Sequence, residues 1–364
     1  MHPSPKHAGF TLVELLVSTA LLTGLVLILV SILDQTQKTW RFTRTKVEQF
    51  SGARAGFESM TRRVSQATLN TYWAYEYKNG PTRPPTNYTR QSELRFLSSP
   101  MQTLTTEALP PPEGIVGDAR TTHGIFFHAP LGFVEETQFK GLVNLLNTWG
   151  YFVEFNSDAR FRPDFINQMG DSAPPNRNRF RLMELMEPSS SLGIYKWTVD
   201  KKYKGRDWVR DAIAPKTSTS GPGHERTRVC AENVVALVIQ PKLSVADQET
   251  GAGGTAGPLL AADYEYDSAP EEPPRDLRWK NQLPPLVQVT MVAIDETSAA
   301  RLSPGTRGSA NATVPQLSLD GLFSEAADFD KDLNTLTETL IAQRVTYRIF
   351  TTHVSIRAAK WSRD

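Results

Sequence analysis

Hydrophobic and polar positions divide this chain into three stretches of different texture. Residues 10–33 form an apolar run whose one charge is Glu14. As a helix rising ~1.5 Å per residue, the run spans ~36 Å, enough to cross a ~30 Å hydrocarbon core with some tilt. From Asp34 to about Thr71 there is no proline, and the apolar positions thin to a seam of Phe50, Ala53, Phe57, Met60, Val64 and Ala67. Their 3-4-3-4-3 spacing places them on one face of a helix. The pattern therefore predicts a long helix, apolar all round over 10–33 and amphipathic over 34–72. Gly52 and Gly56 each weaken that helix by about 1 kcal/mol relative to Ala, so they mark close packing or a local bend. Arg41, Arg44, Arg54, Arg62 and Arg63 read as its solvated face. The heptads lack clear e/g charge pairs, which disfavours a coiled coil.

Beyond residue 73 the period shortens. Runs rich in Val, Ile, Phe and Tyr predict strands over 93–97, 124–128, 151–156, 180–186, 233–240, 286–294 and 345–357. In 286–294, Val287, Val289, Met291 and Ala293 alternate with Gln288, Thr290 and Val292, giving one drier face. Helical spacing predicts short helices over 139–149, with Gly150 as a stop, over 206–214 and over 333–343. Residues 216–227 and 249–285 read as long loops. The expected fold is α+β: a long N-terminal helix, transmembrane in its first half, packed on a mainly antiparallel sheet head spanning 73–364.

Charge and chemistry narrow the function. Lys plus Arg number 40 against 39 Asp plus Glu, so nothing points to a nucleic-acid partner. Cys230 is the one cysteine; it allows no intrachain disulfide and reads as a small buried hydrophobe. Asp328, Asp330 and Asp332 alternate as calcium-loop carboxylates do. An EF-hand then requires Gly at the sixth position and Glu at the twelfth, where this chain has Leu333 and Thr339. The better reading is a set of carboxylates favoured by a helix N-terminus. His123 and His128, five apart on a strand, face opposite sides and make poor co-ligands. Zinc spacings, a Gly-x-Ser-x-Gly elbow and a phosphate-cradling glycine loop are all missing from the sequence. No catalytic residue, cofactor or metal is expected, and the head is not read as an enzyme.

The start of the chain is the most specific signal. A polar leader, residues 1–9, carries Lys6, ends in Gly9, and runs into Phe10-Thr11-Leu12-Val13-Glu14. A secretory signal peptide has a shorter apolar core followed by a small-x-small cleavage site. A plain single-pass anchor explains the length but not Gly9 with Glu14 five residues later. The arrangement resembles the class III signal of type IV pilins and type II secretion pseudopilins. That resemblance implies a prepilin peptidase that cuts between Gly9 and Phe10 and methylates the new amine of Phe10. It also implies that Glu14 pairs with the terminal amine of a neighbouring pilin-like subunit. In low dielectric such a pair fixes axial register more than it adds stability.

Later segments are similar to narrower groups. Residues 281–291 resemble a segment of PilW-like and J-type minor pilins. Together with 345–350 and 355–362 they resemble the Verru_Chthon cassette protein C family. The resemblance implies a minor pilin or pseudopilin subunit of a type IV pilus or a type II secretion-like filament. Its partners would be the peptidase, other pilin-like subunits and inner-membrane lipid, with the C-terminal domain in the periplasm or on a surface filament. Lys38, Arg41, Arg44 and Lys46 outnumber Lys6 and by count favour the reverse orientation, but long domains translocate largely regardless of charge. The alternative expectation is an anchored extracytoplasmic adhesin or binding module whose long loops contact a ligand.

Overall fold

The computed structural model describes residues 12–77, 84–105, 112, 115, 119–198, 205–214, 226–245, 258–269, 279–303 and 315–361. It divides into two units, Met1–Ser51 and Gly52–Asp364. The first holds helix α1 (Leu12–Gln49). Within α1, Leu12–Gln37 is exposed throughout, with a mean hydropathy of 2.6, and is long and apolar enough to cross a membrane. Its hydroxyls turn back on their own helix: Ser18 Oγ donates to the Glu14 carbonyl at 2.7 Å and Thr23 Oγ1 to the Thr19 carbonyl at 2.8 Å. Such back-bonding lets polar side chains sit in hydrocarbon without an outside partner.

After a turn at Phe50 comes α2 (Ser51–Val64). Every seam residue read from the spacing, from Phe50 to Ala67, is buried. The helix stops at Val64, short of residue 72. Gln66 N–H and Ala67 N–H reach carbonyls three residues back, a tightened last turn, and Thr68 N–H then donates to the His128 carbonyl at 2.8 Å. The chain leaves the helix because a strand offers the next acceptor.

Besides a one-turn helix at Asp164–Asn167 and short 3-10 turns, the elements that follow are β1 (Tyr72–Glu76), β2 (Asn87–Gln91), β3 (Leu97–Pro100), α3 (Met101–Thr105), β4 (His123–Pro130), β5 (Leu146–Ser157), β6 (Asn178–Glu187), α4 (Asp207–Ile213), β7 (Thr227–Glu232), β8 (Val234–Lys242), β9 (Tyr266–Asp267), β10 (Leu286–Ile294), α5 (Glu296–Leu302), α6 (Phe329–Ala342) and β11 (Tyr347–Ser355). Six strands form one sheet in the order β7-β6-β5-β4-β3-β9, three form another, β11-β10-β8, and β1-β2 make a separate hairpin. All these pairings are antiparallel. The class is α+β, with an apolar N-terminal helix and a mainly antiparallel sheet region.

Register sets the two faces of the larger sheet. Phe126 lies opposite Gly150, and Gly150 opposite Leu185. That face carries Phe126, Phe152, Met183 and Leu185 into a core closed by Trp208, Val209 and Ile213 of α4. The opposite face carries Ile125, Tyr151 and Glu184, which are also paired in register. There β8 lies against β3, β4, β5 and β6. The free edge of β8 is closed by side chains: Leu237 N–H donates to Thr122 Oγ1 at 3.0 Å and Ile239 N–H to His123 Nδ1 at 3.1 Å. An exposed edge that would otherwise pair with another chain is thereby blunted.

Three sequence expectations change. Residues 139–149 are not a helix: a short 3-10 turn covers Thr137–Phe139, and Leu146 already begins β5. Leu142 is exposed while Trp149 is buried, so the apolar spacing does not form one buried helical face, and pairing of β5 with β4 and β6 decides the conformation. The 93–97 strand is shifted, with β3 beginning at Leu97. Within 249–285, residues 258–269 are not featureless loop, since β9 lies there and Ala261, Tyr264 and Tyr266 are buried. Residues 216–225, 249–257 and 270–278 lie outside the described residues.

Candidate functional sites

Gly9 and Phe10 lie outside the described residues, so the structure adds no geometry to the proposed cut. Glu14 lies in the first turn of α1 and is exposed. A carboxylate there meets the positive end of the helix dipole, the most favourable place for an acid on an apolar helix.

The second concentration of chemistry is where α2 meets the larger sheet. Arg63 forms an ion pair with Glu184 of β6, and its Nη1 donates to Tyr151 Oη at 3.0 Å. Its guanidinium stacks over the Trp149 ring at 4.9 Å. Trp149 Nε1 and Tyr151 Oη donate to Glu184 Oε1 at 2.8 and 2.6 Å. Three donors thus converge on one carboxylate. Burial, and then Glu184, raise the Tyr151 phenol well above its ordinary pKa, so it is a donor at all ordinary pH. With its groups spent on one another, the cluster fastens α2 rather than performing chemistry. Two turns earlier, the second helix glycine, Gly56, is explained by packing: a Cβ there would stand 3.0 Å from Ala231 Cβ and 3.4 Å from the Cys230 carbonyl oxygen. Cys230 is half-buried, and burial pushes its thiol up to about 11, so it is not a thiolate nucleophile at neutral pH.

The histidines face opposite sides, as their spacing implied. His123 is buried, accepts from Ile239 N–H at Nδ1, and therefore donates from Nε2 to the Phe323 carbonyl at 3.0 Å. His128 is fully buried on the other face, donates from Nδ1 to the Arg95 carbonyl at 2.9 Å and lies against Trp208. Desolvation holds both near a pKa of about 4, so both are neutral structural groups. Among the acidic residues 328–332, Asp332 Oδ2 accepts from Phe323 N–H at 2.7 Å, and Asp328 occupies the N-cap position of α6 without a side-chain capping bond. Among the described residues, no group of three or more His, Cys, Asp and Glu could hold a metal ion.

One feature had no sequence signal. A cleft of about 230 Å³ opens between the start of β4 and segments at 263–265 and 319–324, lined by Thr121, Thr122, Asp263, Glu265, Asp320 and Phe323 among others. Thr122 and Phe323 are both held at φ 58°, Gly321 is at 76°, and Tyr264, between the two lining carboxylates, is at 60°. Left-handed backbone is an outlier for β-branched and aromatic residues and is kept only where surroundings over-determine it. Here the Thr122 and His123 bonds to β8, and the Asp332 and His123 bonds to Phe323, supply that constraint. The lining comes from separated segments, so no local spacing announces it.

No family model matches the sequence, and neither the curated proteins nor the solved structures contain a match.

Proposed function

We propose that this chain is a membrane-anchored, pilin-like assembly subunit. The observation that carries the reading is the spacing of Gly9, Phe10 and Glu14 at the head of an apolar helix. Support comes from the length and full exposure of Leu12–Gln37, and from the succession of apolar helix, amphipathic helix and antiparallel sheet. A prepilin peptidase cuts after Gly9 and methylates Phe10. The freed helix resides in the inner membrane with the sheet domain on the periplasmic side. Glu14 then docks on the terminal amine of a neighbouring pilin-like subunit, in a pilus or a type II secretion-like filament. A charged side chain costs roughly 2.5–3.5 kcal/mol near a membrane helix centre and less near its end, so an acid retained there is a functional candidate by default. The work done is mechanical: the anchor supplies register, and the large head suits a tip or priming position.

The test is Glu14→Leu. The variant is expected to insert and be cleaved as the parent is, yet to lose crosslinks to pilin-like neighbours. Unchanged crosslinking would remove the docking role.

A further inference from the structure

Strand β11 ends the three-stranded sheet on the side away from β8, and the fold leaves its outer edge open. Two flanking backbone bonds fix which groups point outward. Asp295 N–H donates to the Thr346 carbonyl at 3.0 Å and Ile356 N–H to the Pro285 carbonyl at 3.2 Å. Both pairs continue the β10–β11 register, and hydrogen-bonded pairs alternate along an antiparallel ladder. Even-numbered residues of β11 therefore turn N–H and C=O toward β10, while Tyr347, Ile349, Thr351, His353 and Ser355 turn theirs outward. No hydrogen bond from the described residues reaches these outward groups, whereas the next one along, Arg357 N–H, donates to the Ser65 carbonyl at 3.1 Å. The strand is accessible: Arg348, Thr351, His353 and Ser355 are exposed and only Val354 is buried. It also lacks the devices that blunt an edge, having no proline, no lysine and no bulge in its pairing with β10. Its arginine, Arg348, lies back over the Phe350 ring at 5.6 Å. The β8 edge, by contrast, is closed by Thr122 and His123.

We propose that β11 pairs with β11 of a second copy of this chain, antiparallel about a twofold axis at Thr351, so that two three-stranded sheets become one. Open backbone groups spaced along an edge select an extended strand as their partner. The Thr351-centred register is the one twofold register that uses all of Tyr347–Ser355. It brings the outward groups into hydrogen-bonded pairs: Thr351 with its own counterpart, Ile349 with the partner's His353, Tyr347 with the partner's Ser355. All the outward N–H groups of both strands are then satisfied, about the ~10 direct hydrogen bonds of an ordinary interface. Between them, Arg348 lies opposite the partner's Val354 and Phe350 opposite the partner's Thr352. No like charges meet, and an aromatic side chain faces a β-branched one, a pairing that stabilises sheets. The strand is thus compatible with itself in both directions. The proposal concerns the second unit and does not rest on the role of Glu14.

The test uses the full chain in detergent, with Cys230→Ala so that no native thiol competes. In that background Thr351→Cys is expected to give a disulfide-linked dimer on mild oxidation, since Cα atoms of a hydrogen-bonded pair stand ~5.5 Å apart, within disulfide reach. Arg348→Cys is expected to give none, because the two copies of that position lie ~20 Å apart along the paired strands. Thr351→Pro removes an outward N–H and no bond to β10, as an edge strand tolerates. It is expected to keep the thermal midpoint while self-association, read by sedimentation, weakens at least about tenfold, the effect of losing the two bonds at the axis. Thr351→Lys sets two ammonium groups opposite each other at an exposed position and is expected to act in the same direction. A monomeric parent, equal crosslinking through positions 348 and 351, or unchanged self-association in both the proline and lysine variants would overturn the proposal. So would a Thr351→Cys adduct with a different protein, in place of the dimer, in intact envelopes.

Discussion

At the scale of single residues, His123 and His128 give the fold a pH dependence. Both are buried and neutral, with folded pKa values near 4 against about 6.5 in an unfolded chain. A depressed histidine stabilises nothing by being charged. The folded state is at full stability above pH 6.5, and below that the unfolded chain takes up protons the native state refuses. Stability should therefore fall as pH drops from 6.5 towards 4, by about 1.4 kcal/mol per pH unit for each histidine. Asp158 and Glu296, held below the usual carboxylate range by hydrogen bonds that outweigh burial, add loss only at lower pH. Glu187, raised by burial, works in the opposite direction. Denaturant titrations of the detergent-solubilised chain at pH 7.5, 6 and 5 check this, and His128→Phe should remove about half the slope; a flat profile would show that the histidines are charged or hydrated when folded. Gly150 shows how a residue can mislead. Read from sequence as a helix stop, it lies mid-strand because a Cβ there would stand 2.3 Å from the Phe126 ring. A glycine required by a neighbour 24 positions away carries no local mark.

Among the elements, α2 shows what the sequence could convey and what it could not. Its buried stripe was legible from spacing alone, because period 3.6 leaves a clear trace in apolar positions. Its partners were not. Arg63 read as a solvated charge, yet it reaches Glu184, Tyr151 and Trp149, residues that become neighbours only through pairing of β5 with β6. Arg63→Met is expected to cost about 1–3 kcal/mol, since it leaves Glu184 with two donors and no counter-charge. A denaturation midpoint matching the parent would mean that α2 is held by its apolar seam alone. Strand 286–294 was read with its final boundaries from its run of Val, Met and Ile, but the single drier face expected of it is not found: residues 287–294 are buried on both faces. Residues 139–149 misled because four apolar residues at helical spacing also fit a strand entry, and only tertiary pairing separates the two.

At the scale of the whole molecule, a single apolar helix and a mixed helix–sheet unit are joined in one chain, and the first few residues carry the functional reading. The long apolar helix was legible because the length and apolarity that membrane crossing would require are carried by a contiguous run. The acidic cleft was not, since four separated segments build it. The proposed assembly role requires that peptidase processing convert α1 into an assembly helix. The decisive measurement is N-terminal mass analysis of the chain, purified from envelopes of cells that possess a prepilin peptidase. The expected result is a chain beginning at an N-methylated Phe10; a chain retaining Met1–Gly9 would contradict the proposal.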